Sequence, residues 1–501
     1  MSNRIASRFL GNSLYNFISM GLTNLGSIIF TVLIARILSP ENFGAYTLAL
    51  SIVLIFMTIG DFGLNESLVR YVSLNSKNKA KAKTYFAYLL KIKVILIFGL
   101  SVLLLAFSRL IASFYNQESL AFLLIVGSLY LFFYALMQFT SSFFYSLNNL
   151  RAVVYKDLIF NSLRLLLVPT IYFLSFILIS SLPLLFAMLA AVVGVSFNII
   201  YLFCNYRFVF TEKKVKINTK ELFHFSKYLA ISSISALFLV YTDVLILGKF
   251  VNFESIGFYK AASSIALLIA SIINFSPMLY PFLSGLDKKR IHRIFDILIK
   301  YIFIFAMPLI FGTIFISKYF MTTIFGYSYL PATIPLYVLI FLTLAYPLGE
   351  LFRGLLNSKG YSKSTAISMT VAGILNVVLN LILIKLLLPF GQMYAVLGSA
   401  IAILTCRLFI FFYLAKISNE KFGVRIKYSL ALKPIFASII MSIFLFYFTR
   451  IIYGKANILL GSIDVLLAML IYAVTLYLFN GFSRQDINYL KGTIQDLLKK
   501  N

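Results

Sequence analysis

The chain is poor in most of what soluble enzymes use. Its 501 residues hold two cysteines, two histidines, no tryptophan and only 16 carboxylates. Cys204 and Cys406 fall inside apolar segments, so they imply no disulfide framework, and inert packing is their expected role. His224 and His292 stand in or beside basic segments with no cysteine or carboxylate cluster at metal spacing, which leaves no metal site and no cofactor to expect. A G-x-x-x-x-G-K-[ST] loop is missing, which excludes ATP hydrolysis through a P-loop. Also missing is a D-x-D pair of the kind many sugar-nucleotide transferases use to hold a metal, and no soluble domain is there to contain one. Catalysis is not expected. The start, MSNRIASRFLGNSLYNF, lacks a small-residue cleavage site, so no removable signal peptide is expected either. The lack of tryptophan, beside abundant Lys, Ile, Asn and Phe, points to an AT-rich genome and says nothing about substrate.

What is abundant is apolar. The chain is 61% hydrophobic and 12% charged, where a soluble domain would carry about 25% charge. Apolar runs of roughly 18 or more residues recur from end to end, each long enough to span a membrane as a helix. The expected fold is an all-α polytopic membrane protein with about fourteen transmembrane helices. A net charge of +28 would suggest nucleic acid in a soluble protein, but its distribution argues otherwise. Basic residues gather in alternate loops, at Lys77, Lys79, Lys81 and Lys83, at Arg207, Lys213, Lys214, Lys216 and Lys220, at Lys288, Lys289, Arg290 and Arg293, and at Lys416, Lys421, Arg425, Lys427 and Lys433. That asymmetry puts these loops and both termini in the cytoplasm, and removes nucleic acid as a partner.

One stretch occurs twice. Ala35–Leu54 returns as Gly248–Leu267, with Glu41 over Glu254, Gly44 over Gly257, Tyr46 over Tyr259 and Ala49 over Ala262. Ser51, Ile52 and Leu54 then meet Ser264, Ile265 and Leu267, and Arg36 stands opposite Lys249. Both copies join two long apolar segments, which reads as a duplicated hairpin and a two-lobed molecule. The spans fall at residues 11–38, 43–73, 85–113, 118–147, 157–181 and 183–210, then 222–250, 254–285, 294–317, 331–357, 363–389 and 392–418, then 428–453 and 457–481. The domains expected are an N-terminal lobe over 1–210, a C-terminal lobe over 211–418, and two further helices with a cytoplasmic amphipathic tail over 419–501. Six helices return the chain to its starting face, so the lobes insert in the same orientation, related by a pseudo-two-fold along the membrane normal. In the tail, Ile487, Leu490, Ile494, Leu497 and Leu498 recur at helical spacing among lysines. Breaks are expected at Gly60–Gly63 in the second span and at Pro277 and Pro281 in the eighth; packing kinks or a cavity between the lobes would both account for them.

Charges inside the spans are the candidate site. Asp61, Arg164, Glu350 and Arg407 each come out about 8–10 Å from the cytoplasmic boundary of the hydrocarbon, with Arg353 nearer the surface and Arg70 at the interface. A charge at the bilayer centre costs on the order of 3 kcal/mol, so four at one depth suggest a polar layer able to meet an anionic headgroup. Arginine suits phosphate, because its planar fork makes paired bonds and it stays charged in a poorly hydrated site. Arg164 and Arg407 are therefore expected to contact substrate phosphate, with Arg70 and Arg353 at the inner entrance. Glu66–Arg70 and Glu350–Arg353 also have the spacing of pairs on one helix face. Asp243 and Lys260 flank the repeated loop at equal depth, which makes a structural ion pair the first expectation. Asp243 could instead couple protons or sodium, with Asp61 and Glu350 as rival candidates for that role.

The run Ala35-Arg36-x-Leu38-Ser39-Pro40-Glu41-x-Phe43-Gly44-x-Tyr46, followed by Asp61-Phe62-Gly63-Leu64 and Val69-Arg70-Tyr71, resembles the polysaccharide-biosynthesis flippases. These are Wzx-like members of the multidrug/oligosaccharidyl-lipid/polysaccharide exporter superfamily, O-antigen flippases among them. Ile374-Leu375-Asn376-Val377-Val378-Leu379-Asn380, before a hairpin with Gly391 and Gly398, is similar to that family's eleventh and twelfth helices. The resemblance implies transport of a polyprenyl-pyrophosphate-linked oligosaccharide from the cytoplasmic to the external leaflet of the cell membrane. Two lobes would open alternately, the headgroup meeting basic cavity residues that match Arg70, Arg164 and Arg407. The expected partners are that lipid-linked oligosaccharide and membrane lipids, with glycan-assembly enzymes as further candidates, and the expected state is a monomer. Relatives that flip lipid II carry cavity arginines in the first helix; Ser13–Ala35 has none, which favours a glycan of another kind. Two readings compete. A cation-coupled drug or metabolite antiporter of the same superfamily would need a smaller pocket around one carboxylate. A membrane glycan polymerase would need a long external loop, which this chain lacks.

Overall fold

A computed structural model describes residues 21, 23–75, 78–147, 149–178, 195, 222, 226, 233–274, 288–427, 429–452 and 458–481. The sixth expected span, the breaks at Pro277 and Pro281, Cys204, His224 and the tail beyond Ser483 lie outside them. Every regular element among the described residues is helical. They are α1 (Thr23–Ile37), α2 (Pro40–Asp61), α3 (Leu64–Leu74), α4 (Lys79–Phe114), α5 (Ser119–Ser146) and α6 (Leu150–Leu178). Then come α7 (Ser233–Val240), α8 (Thr242–Phe250), α9 (Phe253–Ile273), α10 (Lys288–Ile324), α11 (Thr333–Leu339) and α12 (Leu342–Ser358). The series ends with α13 (Ser362–Leu387), α14 (Gln392–Phe422), α15 (Ser429–Ile452) and α16 (Ile458–Leu478). Among the described residues eight helices are long and apolar enough to cross a membrane, or ten if each of two bent pairs counts as one span. The chain is a multi-pass membrane protein.

Helix ends follow from local chemistry. Ser39 caps α2, its hydroxyl accepting from the Asn42 amide at 3.3 Å, and Pro40 opens the first turn, where its missing N–H costs nothing. In the second copy Asn252 does the same for α9, accepting from Ser255 at 3.0 Å. α4 and α10 run to 36 and 37 residues, about 55 Å each and well beyond a hydrocarbon core of about 30 Å. Both begin on lysines earlier than expected, because a basic turn stays helical among headgroups. The break expected at Gly60–Gly63 is present: Phe62 (φ 46°) and Gly63 (φ 71°) are both left-handed, and α3 restarts at Leu64.

Two expected spans are bent instead of straight. The seventh breaks by 45° between α7 and α8, and the tenth by 42° before α12. In the tenth, bonds of i+3 type run from Thr343 N–H to the Ile340 carbonyl and from Leu344 N–H to that of Phe341, one turn before Pro347. That proline cannot donate to Thr343, so the helix loosens there.

The chain divides into two compact units, Met1–Ser264 with Ala366–Cys406, and Ile265–Thr365 with Arg407–Asn501. The division falls inside α9, α13 and α14. Helices this long meet different neighbours at their two ends. In the first unit α3, α4 and α5 pack through Leu68, Leu89 and a run of aromatic rings, with Tyr71 stacked on Tyr85 at 5.2 Å and Phe86 against Phe143 at 4.2 Å. The repeated hairpins meet in the same unit. A Cβ on Gly44 would lie 1.7 Å from the carbonyl oxygen of Phe253, and one on Gly257 would lie 2.2 Å from that of Pro40. Pro40 and Phe253 hold matching positions in the two copies, so each glycine faces its counterpart's helix start. Only a residue without a side chain allows backbones this close. Beside the crossing, Lys249 donates to the Phe114 carbonyl and lies over its ring at 4.5 Å, a cation at the negative end of α4. Burial pushes the phenol of Tyr115, next in the chain, up to about 12, which keeps it a neutral packing group.

The second unit has its core between α10, α15 and α16, around Ala437, Met441, Ala468 and Leu476. Pro308 lies inside α10 and frees the Ile304 carbonyl. The Tyr472 hydroxyl donates to that oxygen at 2.7 Å, meeting the need for a partner that a free carbonyl has in lipid.

Candidate functional site

Three polar centres stand in helices of membrane character. The first surrounds Arg164 on α6. Its guanidinium donates to Asn161 Oδ1 at 2.8 Å and, at 3.5 Å, to Ser27 Oγ on α1. It lies over Phe30 at 4.0 Å and over Phe160 at 4.9 Å, each a cation–π contact strengthened by poor hydration. Tyr46, Tyr130 and Tyr134 stand near enough to feel its charge. Tyr130 and Tyr134 are stacked at 5.1 Å, and Gln138 donates to the Tyr134 hydroxyl at 2.9 Å. Tyr46 is buried and Tyr130 and Tyr134 are half-buried, so three phenol hydroxyls stand near the one guanidinium.

The second centre is Asp243, 4% exposed at the start of α8. The break before it leaves the Phe238 carbonyl without its helical donor. Asn376 on α13 donates to that carbonyl at 2.9 Å and to Asp243 Oδ1 at 2.9 Å. Asn380, one turn on, donates to the same Oδ1 at 3.0 Å, and the Tyr259 hydroxyl to Oδ2 at 2.6 Å. Ser399 on α14 bonds Asn380 Oδ1 at 2.6 Å and fixes its amide. The ion pair expected with Lys260 is not made among the described residues; Asp243 accepts from Asn376, Asn380 and Tyr259. One position past Tyr259, Lys260 points about 100° around α9. The hairpin's paired tyrosines thus serve opposite charges, Tyr46 near Arg164 and Tyr259 on Asp243.

The third centre, in the second unit, is Tyr346 with Glu350, Arg353 and Arg407. Arg353 bonds Glu350 Oε2 through Nε at 3.0 Å and through Nη2, so the i, i+3 pair is formed. Arg407 on α14 lies over the Tyr346 ring at 5.2 Å. Tyr346 feels all three charges, which brings them into one cluster.

Asp61 does not stand alone either. Lys93 on α4, 1% exposed, reaches its Oδ1 at 2.5 Å, and the Glu66 carboxylate on α3 stands near enough to feel both charges. Arg70 lies over Tyr71 at 5.9 Å. Removing the cation of a buried pair strands its partner. Lys93→Met is therefore expected to destabilise the protein by about 3 kcal/mol, read as a drop in thermal unfolding temperature in detergent. The double variant Lys93→Met, Asp61→Asn should recover part of that loss; equal damage in both would refute the pairing as the cause. None of Lys93, Asn376, Asn380 and Tyr259 was assigned to a site from the sequence. Among them only the four-residue spacing of Asn376 and Asn380 in an apolar run gave a signal.

Comparison with known proteins decides the family. Residues 9–287 match the model of the family described as polysaccharide biosynthesis protein. The chain belongs to that family. Over 274 residues it is 27% identical to the probable low-salt glycan biosynthesis flippase Agl15 of Haloferax volcanii, covering 52% of this chain and 55% of that relative, so the match spans about half of Agl15. Among solved structures it is similar to the lipid II flippase MurJ in an inward closed conformation, with TM-score 0.71 and 18% identity over 94% of this chain and 98% of that one. A multidrug resistance MATE family transporter of the MOP superfamily, inward-facing, follows at TM-score 0.63 and 12% identity over 81% and 98%. At these identities the likeness establishes the polytopic transporter fold.

Proposed function

We propose that this member of the polysaccharide biosynthesis family is a flippase and not an enzyme. It carries a polyprenyl-(pyro)phosphate-linked oligosaccharide from the cytoplasmic to the external leaflet of the cell membrane, with both termini inside. Two lobes, residues 1–210 and 211–418, related along the membrane normal, open alternately, and the protein acts as a monomer beside glycan-assembly enzymes. The observation that carries this reading is a guanidinium against aromatic rings in helices of membrane character, Arg164 over Phe30 and near Tyr46, Tyr130 and Tyr134, and Arg407 over Tyr346. Each is suited to an anionic (pyro)phosphate, with Arg70 and Arg353 as the candidates at the entrance, and the tail stays in lipid. Arg164→Ala with Arg407→Ala should slow appearance of lipid-linked glycan on the outer face at least tenfold, each lost charged hydrogen bond being worth about 1.5–3 kcal/mol. Lysine at both positions should restore part of the rate, by returning charge without the fork. Wild-type transport in the double alanine variant would remove this assignment.

Asp243 is the coupling residue of the proposed cycle. Asp61 and Glu350, bonded to Lys93 and Arg353, are the rival candidates for that role. The same carboxylate favours a second reading, a cation-coupled antiporter of drugs or metabolites. Protection of cells against cationic drugs, with no glycan defect on deletion, would promote it.

A further inference from the structure

We propose that Lys260 on α9 is an outer phosphate station of the passage, the group that takes the substrate's (pyro)phosphate after Arg164 and holds it until release, a role that rests on the flippase reading above. The residue stands seven positions past Phe253, where α9 begins. On the topology expected from the basic loops it is therefore about 10 Å in from the outer end of the helix. Arg164 comes out about 8–10 Å from the cytoplasmic boundary, so in a core of about 30 Å the two cations lie about 10 Å apart in depth. A headgroup crossing the core meets them in turn.

The face of α9 decides what Lys260 can reach. Three residues turn through about 300°, so Lys260 lies on the side of Gly257, one turn further in. That side meets α2, since a Cβ on Gly257 would come 2.2 Å from the Pro40 carbonyl oxygen. Thr47, which matches Lys260 in the repeat, stands one turn below Gly44 on α2 and is buried. Lys260 is half-buried, beneath the point where the two hairpins cross. A lysine at this depth usually straightens toward the headgroups. Here the way outward along its own face is filled by the α2 backbone that packs on Gly257, which keeps the ammonium inside. No carboxylate pairs with it among the described residues, and Asp243 is engaged on another side of α9, by Tyr259. Its neighbours on the same face, Gly257 and Ser264, bring no charge. Keeping a cation in this position is costly in a membrane, and an anion that arrives offsets the cost while it is bound. Phosphate suits the three N–H donors of an ammonium. Lysine holds it as a point charge, without the paired bonds of an arginine fork, which fits a station that must also let go.

The test uses full-length protein in vesicles that contain an undecaprenyl-pyrophosphate-linked oligosaccharide, with outward transfer followed over a range of substrate densities. Lys260→Met keeps the stem and removes the charge. It should lower the saturated rate about tenfold or more and leave the half-saturating density within about twofold, because loading falls to Arg164. Lys260→Arg should keep most of the rate. Thermal unfolding in detergent separates this role from a structural one. Lys260→Met should melt at the wild-type temperature or above it, since the exchange removes a charge kept at a cost. A lower melting temperature that accounts for the lost rate would make Lys260 structural and overturn the assignment. An unchanged saturated rate, or a change confined to the half-saturating density, would overturn it as well while leaving the flippase reading in place. Wild-type protein that carries no pyrophosphate-linked glycan would overturn both.

Discussion

One methyl group added at Gly44 is expected to destabilise the protein by about 3 kcal/mol, the upper end of what overpacking costs. The reason is what it would strike. A Cβ there comes within 1.7 Å of a carbonyl oxygen of the α9 backbone, and backbone cannot swing aside as the tip of a flexible side chain can. Relief therefore requires α2 and α9 to separate along the crossing, with loss of the contacts around it. Gly257→Ala meets the mirror obstacle at Pro40 and should behave alike. Because either change spreads the same crossing, the two together should cost less than twice one. Gly99 gives the control: no atom lies within 4 Å of its added Cβ, so Gly99→Ala should be neutral or stabilising by up to about 1 kcal/mol through helix propensity. Thermal unfolding of the three purified variants settles the comparison. If Gly44→Ala melts with Gly99→Ala, the close crossing is not what holds the hairpins together.

A second large effect is expected at Asp243. Asp243→Ala would leave the Tyr259 hydroxyl and the amides of Asn376 and Asn380 without their acceptor in a buried site. Each such orphan costs about 1–3 kcal/mol, so the variant should be poorly stable or fail to accumulate. Asp243→Asn separates structure from charge. It keeps the volume and an acceptor oxygen but abolishes the negative charge, so it should fold while transport stops responding to an imposed proton or sodium gradient. Flux in reconstituted vesicles, measured with and without each gradient, is the readout. Gradient-dependent flux in a folded Asp243→Asn protein would exclude Asp243 as the coupling residue.

The all-α membrane class was legible because it follows from apolar runs, which act locally. The hairpin repeat was legible as letters, yet its meaning was not: sequence aligns Gly44 with Gly257 but cannot say that each sits on its counterpart's helix start. The partner of Asp61 was hidden for a related reason. Lys93 follows a basic stretch and reads as one more lysine reaching for the headgroups, whereas α4 turns it inward. Asp243 shows how far depth alone can mislead. Equal depth matched it with Lys260, but the angle around α9 decided against that pair, and its actual donors on α13 are remote in sequence. Breaks that rest on a nearby proline were foreseeable in principle, as at Pro347; the answering group seldom is, since Tyr472 reaches Ile304 from another helix altogether.

The stacking around Arg164 bears on selectivity. A flat aromatic cation of the kind that multidrug carriers accept seeks the open face of a ring. At this centre the faces of Phe30 and Phe160 are already shared with a guanidinium that never titrates away, and an incoming cation would also meet like charge. An oxyanion faces neither obstacle, because it approaches the N–H rim instead of the rings. On the flippase reading proposed above, the resident arginine acts as a built-in competitor that turns cationic drugs away from this wall and leaves it to phosphates.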